Sequence, residues 1–320
     1  MPFHGSNRGS NPLGDATSIV RRALAEASRL LLRPRRQATL DSAIGSGLPP
    51  STHVAASFMI DRSLERAGLL DVVSRVESRR AEIAAQTDRT FTIWYSPEPQ
   101  SGVTAAGSSP AIGQAMRLPA RRIAATGKDR LWGPALHLLV RSSGAKRVLE
   151  LGSCAGLSAL YMGQCPTVNS LITVEGSADL ASLAAESLQF IPGTRVVNAR
   201  FADAIQLLTE ERTERFDLAF IDGHHERSAT LFYFEKVFPL LSSGAHVIFD
   251  DIRWSADMFD AWRTLRSDAR FAHTIDFGSL GVCICKGFAD AADDANAQPQ
   301  HWDLSKVVGR TRIGRPWGWR

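Results

Sequence analysis

Three carboxylates in this chain stand where they can share one positive charge. Asp222 closes the apolar run Phe216 to Ile221, and Asp250 with Asp251 closes a second run that ends in Ile248-Phe249. Strand ends that lie side by side would bring the three acids together. Like charges in one place raise each other's pKa and cost stability unless a cation sits among them. Hard oxygen ligands of this kind suit Mg2+, Mn2+ or Ca2+. His225 follows Asp222 by three positions in Asp222-Gly223-His224-His225. An imidazole titrates near neutrality, so His225 is a candidate general base, with a metal ligand or a surface histidine as the other readings. His224 reads as a loop residue.

A second constellation lies earlier. Arg147-Val148-Leu149-Glu150-Leu151-Gly152-Ser153-Cys154-Ala155-Gly156-Leu157-Ser158 begins as an apolar run and passes through two glycines into a helical pattern. A buried strand, a glycine turn and a helix start form a site for a nucleotide-like ligand. The spacing is E-x-G-x-x-x-G. A dinucleotide site wants G-x-G-x-x-G, and Ser153 stands where its second glycine belongs. That glycine lets a pyrophosphate lie on bare backbone, so the pattern favours a ligand without one. Glu175, in Thr173-Val174-Glu175-Gly176, lies 23 positions after Gly152. An acid at about that distance accepts from ribose hydroxyls; a charge at the N-terminus of the following helix is the alternative.

The elements that must position these residues alternate. Strands are expected at 147–151, 171–175, 195–198, 216–222, 246–250, 271–276 and 282–286. Helices are expected at 157–163, 178–190, 204–211, 229–241 and 255–267. Such alternation gives a mainly parallel, doubly wound α/β sheet with helices on both faces. No helix separates the last two strands, so they should pair antiparallel. Ligands of such sheets sit outside the carboxyl ends of the strands, which is where every residue named so far falls.

The E-x-G-x-x-x-G stretch resembles motif I of the class I S-adenosylmethionine (SAM) methyltransferases, and seven strands with a terminal hairpin resemble their Rossmann-like sheet. The resemblance covers roughly 131–288. It implies that Gly152 and Gly156 flank the methionine part of SAM, that Glu150 sets the loop, and that Ser153, Leu157 and Ser158 complete it. Glu175 with Gly176 would meet the ribose. In Phe201-Ala202-Asp203-Ala204, Asp203 would meet the adenine amino group, with Ala204 beside it; an N-cap is the other reading of Asp203. The acids resemble the metal site of catechol-type O-methyltransferases, with Asp222, Asp250 and Asp251 as ligands and Asp222 also at the cofactor. Two departures stand out. Asp251 replaces the Asn of the catechol enzymes, and His225 stands where they carry Lys. The Ile-Asp-Gly-x-His sequence is similar to a bacterial set of methyltransferases. On this likeness a metal would acidify an acceptor hydroxyl, His225 would take its proton, and the methyl would pass in line to oxygen. Trp132 would wall that pocket or belong to the core.

The remaining stretches bound the setting. The chain has 320 residues, 44% hydrophobic and 22% charged, with a formal charge of +4. A packed core is affordable. Only five of its 37 basic residues are Lys, and the arginines are scattered, which argues against a nucleic-acid patch. Cys154, Cys165, Cys283 and Cys285 form no C-x-x-C pair and read as free thiols of a reducing, cytoplasmic setting. No apolar run approaches a membrane span. Residues 1–50 read as a flexible basic arm holding a short helix, 17–33, that Pro34 stops. Residues 51–130 read as a helical cap, broken at Gly68, with a strand at 91–95 and a lid-like loop at 101–111. Residues 131–288 form the SAM-binding domain, and 289–320 a tail with Trp302, Trp317 and Trp319.

These readings converge on a SAM-dependent O-methyltransferase, assisted by a divalent cation such as Mg2+ and acting on a small hydroxylated molecule. A second copy of the chain is an expected partner of the helical segment. The alternatives are a metal-independent O- or N-methyltransferase, an NAD-dependent oxidoreductase, and a non-catalytic nucleotide-binding module.

Overall fold

A computed structural model describes residues 12–95, 114–287, 297–309 and 311–314. Its centre is an eight-stranded sheet. Five strands are parallel neighbours from the first half of the unit: β3 (Arg147–Leu151), β4 (Ser170–Glu175), β5 (Thr194–Asn198), β6 (Phe216–Ile221) and β7 (Leu241–Phe249). β8 (Phe271–Asp276), β9 (Gly281–Cys285) and β10 (Gln300–Asp303) complete the order β10-β8-β9-β7-β6-β3-β4-β5. β9 runs antiparallel to both β7 and β8, and the tight turn closes with Phe277 N donating to Leu280 O at 2.9 Å. Side chains alternate across the sheet. Val148, Leu218, Phe220 and Ile248 face one core, while Leu149, Leu151, Ala219, Ile221 and Phe249 face the other.

Register is what builds the site. Leu151 pairs with Val174 and with Ile221, and Ile221 pairs with Phe249. Glu175, Gly152, Asp222 and Asp250 therefore sit one step past the same level, side by side. The crossover helices α7 (Leu157–Gly163), α8 (Ala178–Leu188), α9 (Phe201–Glu210), α10 (Arg227–Val237) and α11 (Ala256–Leu265) cover the two faces.

The N-terminal part departs from expectation in one respect. Helix α1 (Pro12–Gly45) does not stop at Pro34 but contains it. An interior proline costs about 3 kcal/mol in an isolated helix. Here the helix is fastened on both sides of it. Arg29 Nη1 donates to the carbonyls of Ile60 at 3.1 Å and Asp61 at 2.8 Å, and Leu40 beyond the proline is fully buried. Residues 34–45 thus belong to the packed body rather than to an arm. α2 (Pro50–Asp61), α3 (Leu64–Ala67) and α4 (Leu70–Ala84) follow, with Gly68 capping α3 at φ +67°. β1 (Thr90–Tyr95) and β2 (Gln114–Pro119) pair antiparallel as a separate hairpin. The lid-like loop at 101–111 lies outside the described residues. α5 (Ala120–Thr126) and α6 (Trp132–Ser143) lead into β3. Trp132 is buried at the start of α6, where its N–H and that of Leu131 both reach Asp129 Oδ1 at 2.9 Å.

The tail is the second departure. Residues 300–303 add β10 in parallel to β8, an eighth strand where seven were expected, and α12 (Ser305–Val308) follows. Trp302 is buried there and its indole donates to Ser46 Oγ at 3.0 Å, so the tail docks on its own chain. Trp317 and Trp319 lie outside the described residues. All four cysteines are free thiols. No helix among the described residues is long and apolar enough to cross a membrane.

One buried histidine ties the N-terminal helices to the sheet. His246 Nε2 lies 2.9 Å from Ser51 Oγ, and burial pushes the imidazole down to about 4. The unfolded chain would titrate this group near its ordinary value of about 6.5. Between those values the unfolded state holds the extra proton, so stability is present at neutral pH and lost as pH falls from about 6.5 to 4. The separation is worth about 3 kcal/mol. Urea unfolding of His246→Gln against the parent at pH 7, 5.5 and 4 should show the parent losing more stability over that window. Parallel profiles would exclude His246 as the source.

Candidate active site

The glycine loop is shaped by its neighbours before any ligand arrives. Gly152 N and Ser153 N both donate to Val174 O, at 2.9 and 3.2 Å, extending the β3–β4 pairing past the strand end. Gly152 has φ +106°, and a Cβ there would run into the Asp222 carbonyl oxygen. The first motif glycine thus lets the β6 end close against the loop. Gly156, at φ +76°, caps α7. A Cβ on it would lie 3.1 Å from Ala184 Cα, so the bare glycine admits α8 at close range. Leu157 and Ser158 are buried in the first turn of α7.

Ser153 turns inward. Its hydroxyl bonds Thr173 Oγ1, which in turn donates to Glu150 Oε2. Glu150 is fully buried, and burial pushes it up to about 7 against the pull of Ser158 and Thr173. Glu175 closes the loop from the other side: Oε2 accepts from Cys154 N at 2.8 Å and Oε1 from Ser177 N at 2.9 Å. Burial raises its pKa while those backbone donors oppose the rise. Gly176 beside it is exposed. The β1–β2 hairpin is latched at this corner, since Thr92 N donates to Asp179 Oδ2 at 2.8 Å and Ser177 Oγ to Thr92 O at 2.5 Å.

Asp203 is placed differently from its N-cap reading. α9 begins at Phe201, three residues earlier than the pattern suggested, and Arg200 occupies the N-cap. Asp203 is an exposed acid in the first turn, where it favours the helix dipole. Ala204 is buried beneath it.

The acids do come together. Asp222 N donates to Leu151 O at 2.9 Å and Asp250 N to Ile221 O at 3.0 Å, so both emerge from paired strand ends. His225 Nε2 stands 3.9 Å from Asp222 Oδ1 and 3.9 Å from Asp251 Oδ2. Its ring lies 5.7 Å from that of Trp254. Asp251 adopts φ +50°, which turns it toward Ser279, whose hydroxyl donates to Oδ1 at 3.4 Å. His224 is in the loop but not idle: at φ +53° its Nδ1 bonds the hydroxyl of buried Tyr233. Burial first, then the charge of Asp222, pushes Asp250 up to about 7. Asp251 is raised by burial and by Asp250.

The residue that sequence reasoning missed is Lys128. Its ammonium lies 3.0 Å from Asp222 Oδ2 and bonds Asp250 Oδ2. Burial opposes its charge, but the carboxylates of Asp222, Asp250 and Asp251 outweigh that and hold it well above the usual lysine range. The donor set is chemically suited to a hard divalent ion, yet a cation from the chain already stands between two of the three acids. Among the described residues no three His, Cys, Asp or Glu side chains are arranged to hold a metal. The expected Mg2+ site does not fit this arrangement.

The open sheet with this strand order, the glycine loop after its first central strand and the acids at the neighbouring strand ends make up the doubly wound, Rossmann-like arrangement expected from the sequence. Residues 149–252 match the family model of a methyltransferase domain. A catechol O-methyltransferase of Niastella koreensis is 32% identical over 124 residues, which is 38% of this chain and 55% of that protein. The chain thus matches about half the length of this curated relative. Similar solved structures include the O-methyltransferase TomG of Streptomyces achromogenes in complex with SAM, at 22% identity and TM-score 0.44, covering 50% of this chain and 82% of that one. An O-methyltransferase of Bacillus cereus has 20% identity and TM-score 0.46, covering 67% and 91%. Residues 149–252 are thus similar to a methyltransferase domain.

Proposed function

We propose that this protein moves the methyl group of SAM to a hydroxyl of a small acceptor. One observation carries the reading. The Gly152 loop, closed by Glu175, abuts the Asp222–His225–Asp251 cluster through the contact of Gly152 with the Asp222 backbone. A sulfonium nucleoside in the loop and a hydroxyl at the cluster would be neighbours. The name of the curated relative supports an oxygen acceptor.

The step needs a proton removed and a methyl moved. His225 Nε2 takes the hydroxyl proton as the oxygen attacks the sulfonium methyl carbon; the C–S bond breaks and S-adenosylhomocysteine leaves. Asp222 and Asp251, each 3.9 Å from Nε2, stabilise the imidazolium. Opposite charges cancel as the methyl passes, which a partly buried pocket favours. Residues 51–95 and 114–130 serve as a cap over the site, a role supported by the hairpin latched beside Glu175 and by Lys128 reaching Asp222 and Asp250.

Calorimetry with SAM and with NADH should give binding for SAM only, and a preference for NADH ends the proposal. A methyl-transfer screen over catechols, sugars and hydroxylated scaffolds then finds the acceptor. On that acceptor, His225→Gln should lower kcat by about 100-fold or more, the low end for loss of a general base, with SAM affinity kept. Unchanged turnover removes His225 from the role.

A further inference from the structure

We propose that Lys128 is the resident cation of the acidic cluster, holding the acceptor oxygen in place of a divalent metal, so that transfer is metal-independent. The inference rests on the methyl-transfer reading for its chemistry, but not for its geometry. Lys128 is placed by a built loop. Arg80, on α4, donates through Nη1 to Ala124 O at 2.5 Å and to Gly127 O at 3.4 Å, and through Nη2 to the carbonyl of Lys128 itself. Glu77 Oε1 holds Arg80 Nε at 3.1 Å. Gly127 is pressed on α7, since a Cβ there would lie 2.7 Å from Leu157 Cδ1. Thr126 Oγ1 lies 3.3 Å from Cys154 Sγ in the glycine loop. The N-terminal helices are thereby braced against the motif at the point where the lysine enters.

The side chain is only 13% exposed, and its Nζ lies 5.6 Å from the centre of the Phe220 ring. An ammonium has three N–H donors. Two meet Asp222 and Asp250. The third would meet a developing alkoxide and offset its charge, as a metal does elsewhere. A divalent ion entering between the same oxygens would face this ammonium at contact distance, and that repulsion disfavours it. The choice of lysine is itself informative in a chain with 37 basic residues, nearly all arginine. An ammonium is a compact point charge, whereas a planar guanidinium needs a wider slot.

The test is a Mn2+ titration of the full chain, read by electron paramagnetic resonance, with turnover measured in EDTA and in Mg2+. The parent should bind no Mn2+ at the cluster at millimolar ion, and its turnover should be the same in both buffers. One Mn2+ per chain that disappears in Asp250→Asn, or turnover lost in EDTA, overturns the proposal. Lys128→Met should gain a Mn2+ site at least tenfold tighter than any in the parent, while Lys128→Arg should not. If Lys128→Met does not fold, the parent measurement decides alone. SAM calorimetry run alongside separates the two readings: absent SAM binding sinks the methyltransferase proposal, while the Mn2+ result judges Lys128.

Discussion

Gly152→Ala is expected to abolish SAM binding and to destabilise the fold by at least about 3 kcal/mol, the range in which a backbone clash adds to strain. Two costs combine. At φ +106° an L-residue is strained whatever surrounds it. The new methyl also meets the Asp222 carbonyl oxygen, a backbone atom that cannot rotate away. Relief requires the ends of β3 and β6 to part, which breaks the bond from Asp222 N to Leu151 O and carries Asp222 away from the loop. Gly144→Ala separates the two costs. Gly144 has φ +69° at the end of α6, and nothing lies within 4 Å of its added Cβ. It should lose only about 1–2 kcal/mol and bind SAM normally. Thermal unfolding and calorimetry of both variants decide the matter. Parent-like SAM affinity in Gly152→Ala would mean that the loop and the Asp222 backbone are not in the contact described.

Most of the sheet was legible because its signals are local. Buried runs ending in Glu175, Asp222 and Asp250 mark parallel strands, and register alone then aligns their ends. The acids of the cluster were found by that logic without any spacing motif. What escaped was non-local. Lys128 lies 122 positions from Asp250 in sequence and belongs to no pattern; the scarcity of lysine was the one available hint. β10 has only four residues, too few for periodicity, and is a strand because the edge of β8 pairs with it. Pro34 was a valid local stop signal overruled by the packing of Leu40 and the bonds of Arg29. Asp203 shows the converse limit. An acid three residues into a helix and an acid at its cap look alike until the first helical residue is known.

Lys128→Met should be the costliest change outside the glycine loop, and its cost should depend on pH. Removing one partner from a buried ion pair costs about 3–5 kcal/mol, because the other charge stays behind without compensation. Here two remain, Asp250 with 3% of its side chain exposed and Asp222 with 17%. Asp250 already stands at about 7, with Lys128 among the groups that hold it down. Without the ammonium it rises further. An acid whose folded value exceeds its unfolded one gives the folded state the extra proton in between. Stability is therefore kept at low pH and falls as pH climbs from about 4 toward the folded value. In the variant that fall extends past neutrality, so the deficit relative to the parent should be small at pH 5 and largest at pH 8. Lys128→Met/Asp250→Asn removes the stranded charge as well and should recover most of the loss. Urea unfolding of the parent, the single and the double variant at those two pH values measures the coupling. A deficit equal at both, or a double variant no more stable than the single, would show that the lysine fills space at the strand ends and does not balance their charge.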